Sequence, residues 1–513
     1  MTLPQRKSQA TATQVKKKGW EPAPMAKPES IETSPLIEET AQPTRDDDEY
    51  ASEGLTKYRW HDDLWLRQRE QVVAGESPLA IYRLEPLDWL ASWQGIGKEK
   101  ISAWQSLDWK ALGIRLIPHM ADLGFTHLEL TRSRASRASK QDAVNEDTVD
   151  ATVFANFIDT CHEGGLGVIV EIRVLQEILS NVPSEQKTGA AAPDSALSDN
   201  DRLASLLDAI RRYHLDGVSL ADDTDEAGGL ALMSGLAQTA PDVLLIVDAS
   251  LYSSLYKRLP TVSRLLVHNA GWNRVMLEFL SEPPDSRHRR YPALIDSFSH
   301  ACDAPYLLPL TNPGARHPWL ARIPGDRWQR FATLRAATCL MWTYPGKKLL
   351  GMGTEFGQDR PRQADQSLDW TLLDDGFHAG MLRLVADLNR LYGDESALHG
   401  CDGEPSTVEW VVNDDTTNNV VAFLRHGAEG TAPLLVVANF TPRVQRDYRL
   451  GVPNMGAWYE VINSDSVFYG GSNVGNGQAV MARMTASHGY PASLDLTLPP
   501  LGTLLLKQGD WPA

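Results

Sequence analysis

Asp201-Arg-Leu-Ala-Ser-Leu-Leu-Asp-Ala-Ile-Arg-Arg-Tyr213 carries apolar residues at helical spacing, and His214-Leu-Asp-Gly-Val-Ser-Leu-Ala-Asp-Asp223 follows it with a short β-type run from Val218. A 3.6-residue period giving way to a short extended run is one unit of a β/α alternation. The same texture extends in both directions, with runs starting near Leu79, His127, Val168, Val218, Leu244, Leu265, Tyr306 and Lys348, and with a second clear helical stretch at Trp328–Trp342. Eight such runs suit a (β/α)8 barrel of the TIM type, although alternation alone describes a doubly wound sheet equally well.

Beyond about Gly393 the pattern changes to short β-rich runs at Thr407–Val412, Val420–Leu424, Leu434–Asn439, Asp447–Leu450 and Leu494–Leu498, separated by Gly, Pro and Asn-Asp turns. This predicts an all-β sandwich over 394–513, after a barrel over 51–393. Residues 1–50 hold the Lys16-Lys-Lys and Asp46-Asp-Asp-Glu runs without a sustained apolar period and read as a disordered tail.

The net charge of −17 argues against a phosphate-backbone partner, so no nucleic acid is expected. No apolar run reaches membrane-spanning length and the N-terminus lacks a signal-peptide core, so the expected setting is cytoplasmic with no membrane partner. Cys161, Cys302, Cys339 and Cys401 are scattered, without metal-site spacing, and suit a reducing compartment. The Cys161-His-Glu-Gly-Gly segment lacks the second His of a zinc helix, and Gly351-Met-Gly-Thr-Glu-Phe-Gly lacks the helix a dinucleotide site needs, so no metal and no cofactor are expected. The 15 tryptophans read mainly as core, with sugar stacking the secondary reading.

From Tyr58 onward the chain resembles the bacterial glycogen (1,4-α-glucan) branching enzymes of the α-amylase superfamily, glycoside hydrolase family 13, in ordered pieces. These are Tyr58-Arg-Trp-His-Asp-Asp-Leu-Trp, Ile81-Tyr-Arg-Leu-Glu-Pro-Leu-Asp-Trp, Gly124-Phe-Thr-His-Leu-Glu-Leu, Pro324-Gly-Asp-Arg-Trp-Gln-Arg-Phe-Ala, Pro345-Gly-Lys-Lys-Leu-Leu-Gly-Met-Gly-Thr-Glu-Phe-Gly-Gln, Ser367-Leu-Asp-Trp, Asn439-Phe-Thr-Pro and Tyr469-Gly-Gly-Ser-Asn. The resemblance implies closure into an α-amylase-type barrel capped by the sandwich. The β-sandwich domains that the family carries ahead of the barrel have no room in residues 1–50, and its Tyr-rich excursion between Glu129 and Phe154 is replaced by the basic Thr131–Lys140 segment and an acidic stretch.

The family's catalytic positions are altered almost throughout. Its fourth-strand Asp-Gly-Leu-Arg-Val-Asp-Ala becomes Asp216-Gly-Val-Ser-Leu-Ala-Asp, placing Ser219 where the Arg stands and Ala221 where the nucleophilic Asp stands. Retaining glycoside chemistry needs a carboxylate nucleophile about 5 Å from a second carboxyl group, and a methyl group cannot replace it. Asp222 is one residue out of phase and points to the other side of the strand. Asp248 falls on the acid/base Glu, Pro313 on the stabilising Asp with Asn312 before it, Gln176 on a sugar-binding His, Glu171 on a third-strand Asp, Glu355 on an eighth-strand Glu and Pro361-Arg362 on a Glu-Trp pair. Glu171 is expected to pair with Arg173, and Glu355 to serve the structure more than the sugar.

The expectation is a branching-enzyme-like pseudoenzyme of glycogen metabolism that binds α-1,4-glucan or glycogen weakly, or partners active glycogen-metabolising enzymes. Two other readings stay open. One is an active branching enzyme with a rebuilt site, and the other is an interaction protein without glucan affinity.

Overall fold

The computed structural model describes residues 58–72, 75–94, 107–132, 151–180, 198–220, 226–259, 264–311, 318–360, 368–428, 430–477 and 479–509. The expectations for the 1–50 tail, most of the 131–150 segment, Ala221, Asp222, Asn312, Pro313, Pro361 and Arg362 lie outside those residues.

Eight parallel strands close a barrel in sequence order: β1 (Ala80–Leu84), β2 (His127–Leu130), β3 (Gly167–Glu171), β4 (Gly217–Ser219), β5 (Leu244–Asp248), β6 (Leu265–His268), β7 (Tyr306–Leu310) and β8 (Lys347–Gly351). The choice between barrel and open sheet, which alternation left undecided, is settled by β1, which pairs with both β2 and β8. The anticipated run starts fall within a residue of these strands. The helix read at Asp201–Tyr213 is Asp199–Arg212, opened by a capping box between Ser198 and Asp201; that read at Trp328–Trp342 is Arg327–Thr343, opened by a second box between Asp326 and Gln329.

Inside the barrel, Leu79, Ile81, Ile169, Leu244, Ile246, Leu266, Leu307 and Leu349 form a separate apolar plug. The larger apolar cluster lies between strands and outer helices, and it takes in most of the buried tryptophans, including Trp89, Trp109, Trp272, Trp319 and Trp342. These indoles are packing residues, leaving none of them free to stack a sugar.

The C-terminal part is a six-stranded sheet in the order β14-β13-β16-β11-β10-β9 facing a two-stranded sheet β12-β15. Its strands are β9 (Val408–Val412), β10 (Val420–Arg425), β11 (Leu434–Asn439), β12 (Gln445–Val452), β13 (Ala457–Asn463), β14 (Val480–Met481), β15 (Ala492–Leu498) and β16 (Gly502–Gln508). The sequence reading omitted β13, β14 and β16. β16 is buried on both faces and so lacks alternation, while Trp458 and Ile462 are the only residues of β13 that are buried.

Alternating residues of β10 explain how this sheet sits. Val421 and Phe423 join the barrel's outer core, whereas Val420, Ala422 and Leu424 join the inter-sheet core with Leu450, Leu494 and Leu496. Buried polar contacts fix the docking: Arg287 donates to the Phe440 carbonyl at 3.0 Å, Tyr291 to the Val420 carbonyl at 2.7 Å and Arg335 to the Ser464 carbonyl at 2.7 Å. No helix among the described residues is long and apolar enough to cross a membrane.

Candidate functional site at the barrel mouth

Partners in a parallel pair point to the same side of the sheet, so the interior plug locates the mouth-facing residues. Ile81 faces inward, hence Arg83 does too; Arg83 pairs with Glu129 and Gly351, Glu129 with Ile169, Glu171 with Ser219, Ser219 with Ile246, and Asp248 with His268. Arg83, Glu129, Glu171, Ser219, Asp248 and His268 therefore line the interior toward the C-terminal ends of the strands, where barrel chemistry is placed.

Arg83 organises this layer. Its Nε donates to Glu129 Oε2 at 2.7 Å, and one terminal nitrogen donates to Glu129 Oε1 at 3.0 Å and to His268 Nε2 at 2.6 Å. Glu129 is wholly buried; burial alone would raise its carboxyl pKa, but the guanidinium more than offsets this and holds it below the usual carboxylate range. Burial, with Arg83's positive charge, pushes the His268 pKa down to about 3, so the imidazole is neutral and accepts through Nε2. Neither Arg83, Glu129 nor His268 was singled out from the sequence. The available signal was a charged residue inside each of two short apolar runs, Ala80-Ile-Tyr-Arg-Leu84 and His127-Leu-Glu-Leu130.

Glu171 is the half-buried carboxyl of the cluster. Burial is the main cause that raises its pKa to about 7, and the Glu129 charge adds to it, while Arg83 and, more weakly, Arg173 pull the other way. The anticipated pairing with Arg173 is thus a minor influence. The folded-state value lies above the unfolded value of about 4.5, so the folded state holds the extra proton, and this carboxyl lowers stability once pH rises past 4.5, most fully above 7. Glu171→Gln should accordingly leave stability unchanged near pH 4 and raise it by about 1–2 kcal/mol at pH 8.5, allowing for partial solvent screening. Urea unfolding at both pH values checks this; equal stabilities at pH 8.5 would refute it.

Asp248, which the family resemblance lays on the acid/base position, ends β5 and is the N-cap of the helix Ala249–Arg258. Its Oδ1 accepts from the Leu251 amide at 2.9 Å and from the Ser250 hydroxyl at 2.8 Å, and the residue is solvent-exposed. Gln176 is displaced from the expected strand end: β3 stops at Glu171 and Ile172–Ser180 is a helix with Ile172, Val174, Leu175 and Ile178 buried. The spacing of those apolar residues was the unread helical signal. Ser219 is buried beneath the mouth. Glu355 has no exposed surface and accepts the Tyr82 hydroxyl at 2.8 Å, a contact within the scaffold.

The opposite, N-terminal face of the barrel carries a denser charged network. His162 donates through Nδ1 to Asp62 at 2.8 Å and through Nε2 to Asp216 at 2.9 Å; Asp216 also accepts from Trp65 Nε1 at 2.8 Å and the Val168 amide at 2.6 Å. Gly167 starts β3 here because a Cβ would overlap the His127 ring. Networks at the N-terminal face of such a barrel serve stability, and this one ties the helix Asp63–Glu70 and its leading segment across the strand ends.

The family model described as "Alpha amylase, C-terminal all-beta domain" matches residues 410–509. The chain is 35% identical over 522 residues to the 1,4-alpha-glucan branching enzyme GlgB 1 of Xanthomonas campestris, covering 88% of this chain and 69% of that protein. To the branching enzyme GlgB of Pseudomonas putida it is 33% identical, covering 93% and 72%. Among solved structures, the α-amylase of Geobacillus thermoleovorans superposes with a TM-score of 0.57 at 12% identity, covering 85% of this chain and 99% of that one. A pullulanase mutant from Paenibacillus barengoltzii gives 0.58 at 16%, covering 87% and 81%. At such identities the structural likeness shows the fold alone, whereas the sequence relatives extend across most of both chains. The chain belongs to the family of 1,4-α-glucan branching enzymes, built on an α-amylase-type barrel.

Proposed function

We propose that this protein holds α-1,4-glucan at the barrel mouth without transferring it. The observation that carries the reading is the engagement of the mouth carboxylates. Asp248 is spent on the helix N-terminus and Glu129 on Arg83, while the chain has Ala221 where the family resemblance places the nucleophile. Transglycosylation needs a free carboxylate nucleophile and a second carboxyl group to act as acid and base. A neutral sugar requires only hydrogen-bonding groups and apolar surface, which this layer retains. Retention of glucan without turnover suits a protein that works beside active glycogen-metabolising enzymes in the cytoplasm. One observation favours a second reading, a rebuilt catalytic site: Glu171, with its pKa near 7, has the character of a general acid.

The test is a branch-point assay on amylose, run beside electrophoresis through a glycogen-containing gel. The expected result is no new α-1,6 linkages, together with retarded migration reflecting a Kd on the order of 1 mM. Branching abolished by Glu171→Gln would establish the rebuilt-site reading instead. Migration unchanged by glycogen would leave the interaction-protein reading.

A further inference from the structure

A cavity lined by described residues lies at the other end of the barrel from the mouth. It measures about 340 Å³ and opens between the N-terminal ends of β6, β7 and β8, the helix Ala249–Arg258 and the turn at Asp402-Gly403. Tyr252 and Tyr256, one helical turn apart with ring centroids 5.6 Å apart, form one wall, with Tyr306 and Cys302 among the other lining residues. Tyr256 is 53% exposed, unlike the buried tryptophans of this chain. Among the described residues, none of the three tyrosine hydroxyls has a hydrogen-bond partner within the protein.

The charges of this cavity select its occupant. Lys347 has its ammonium protons committed to the Gly75 carbonyl at 3.2 Å, the His399 carbonyl at 3.0 Å and Asp402 at 3.0 Å. Asp402 in turn receives Arg425 at 3.1 Å, which is itself anchored to the Ala397 carbonyl and Thr407. No cation among the lining residues is left to receive a phosphate, which disfavours nucleotides and sugar phosphates. Asp303, at the rim, pairs through one oxygen with His300 and keeps the other as an acceptor. Aromatic faces combined with free hydroxyls and one acceptor match a ring that is apolar on its faces and hydroxylated around its edge.

We propose that this cavity is a second binding site, on the N-terminal face of the barrel, for one or two residues of a neutral sugar. It uses none of the mouth residues and stands whether or not the mouth holds glucan.

Cys302 reports occupancy directly. In a Cys401→Ser background it is the partly exposed thiol among the described cysteines, since Cys161 and Cys339 are buried. Maltose at tens of millimolar should slow maleimide labelling of Cys302 at least about threefold, as expected for a Kd in the millimolar range. Tyr256→Ala should raise the maltose concentration needed for protection about tenfold, whereas Tyr256→Phe keeps the ring and should raise it less. Because Tyr256 is exposed, these substitutions leave the core intact. Three outcomes would overturn the site: labelling unaffected by maltose, protection by AMP in place of maltose, or protection unchanged in Tyr256→Ala. Failure of glycogen to retard the protein, with protection by maltose intact, would count against the mouth reading alone.

Discussion

Asp216→Asn is expected to destabilise the protein by about 3–5 kcal/mol, the usual cost of breaking a buried charge pair from one side. Every group around Asp216 is a donor: Trp65 Nε1, the Val168 amide, His162 Nε2 and the Arg69 guanidinium. An asparagine amide nitrogen would confront donors with a donor and leave buried hydrogens unmatched. The two aspartates raise the His162 pKa from 6.5 to about 9 against the opposing effect of its own burial, while Asp216 is held down at about 2. For His162 the folded value exceeds the unfolded one, so its contribution is complete below pH 6.5 and is lost as pH rises through 9. The contribution is on the order of 3 kcal/mol. The parent should therefore lose roughly that amount between pH 6 and pH 9, while Asp216→Asn, having removed one of the two carboxylates, should show a much flatter dependence. Urea unfolding at the two pH values decides it. A variant with the parent's pH slope would show that Asp62 alone sustains the charge on His162, and one with the parent's stability at pH 6 would show that the network carries no net stabilisation.

At the opposite end, Arg83→Met should also cost about 3–5 kcal/mol at pH 7, because it leaves Glu129 buried and ionised without its bidentate partner. In the parent the Glu129 pKa is depressed, so its contribution is present above about 4.5 and fades as pH falls below that value. In the variant the sign reverses: burial without a guanidinium raises the pKa, and the deficit should shrink as pH falls from 7 toward 5. The double change Arg83→Met with Glu129→Gln removes the uncompensated charge and should recover more than half of the loss. Thermal or urea unfolding of parent, single and double variants at pH 7 and pH 5 gives the comparison. A double variant no more stable than the single one would mean that Arg83 acts through packing and His268, and that the charge pair itself matters little.

These two clusters show why the site was less legible than the fold. Strand starts and the helices at Asp199–Arg212 and Arg327–Thr343 could be read from periodicity and caps, which are local properties of the chain. β13 and β16 escaped because a strand buried on both faces, or on few residues, has no alternation to read. Gln176 falls on a helix that follows β3 directly, because the segment laid over the family's strand end has its own helical apolar spacing. Asp248 could be located from the sequence at the end of β5, but its use as a helix cap depends on where the backbone turns. Arg83, Glu129 and His268 are 46 and 139 residues apart along the chain, and only barrel closure brings them within hydrogen-bond reach.

By itself the sequence determined the β/α alternation, the all-β C-terminal part and the membership in a branching-enzyme lineage, since each depends on residue type and order alone, and the family resemblance adds the expectation that Ala221 stands at the nucleophile position. Tertiary structure decided the rest. Closure of β1 on β8 chose barrel over open sheet, register set which carboxylates face inward, and burial and pairing set their charge, holding the Glu129 pKa down beside Arg83 and raising that of Glu171 to about 7. The physical reason is that inward facing, desolvation and pairing are properties of the distance between strands, and that distance is not written in any one of them.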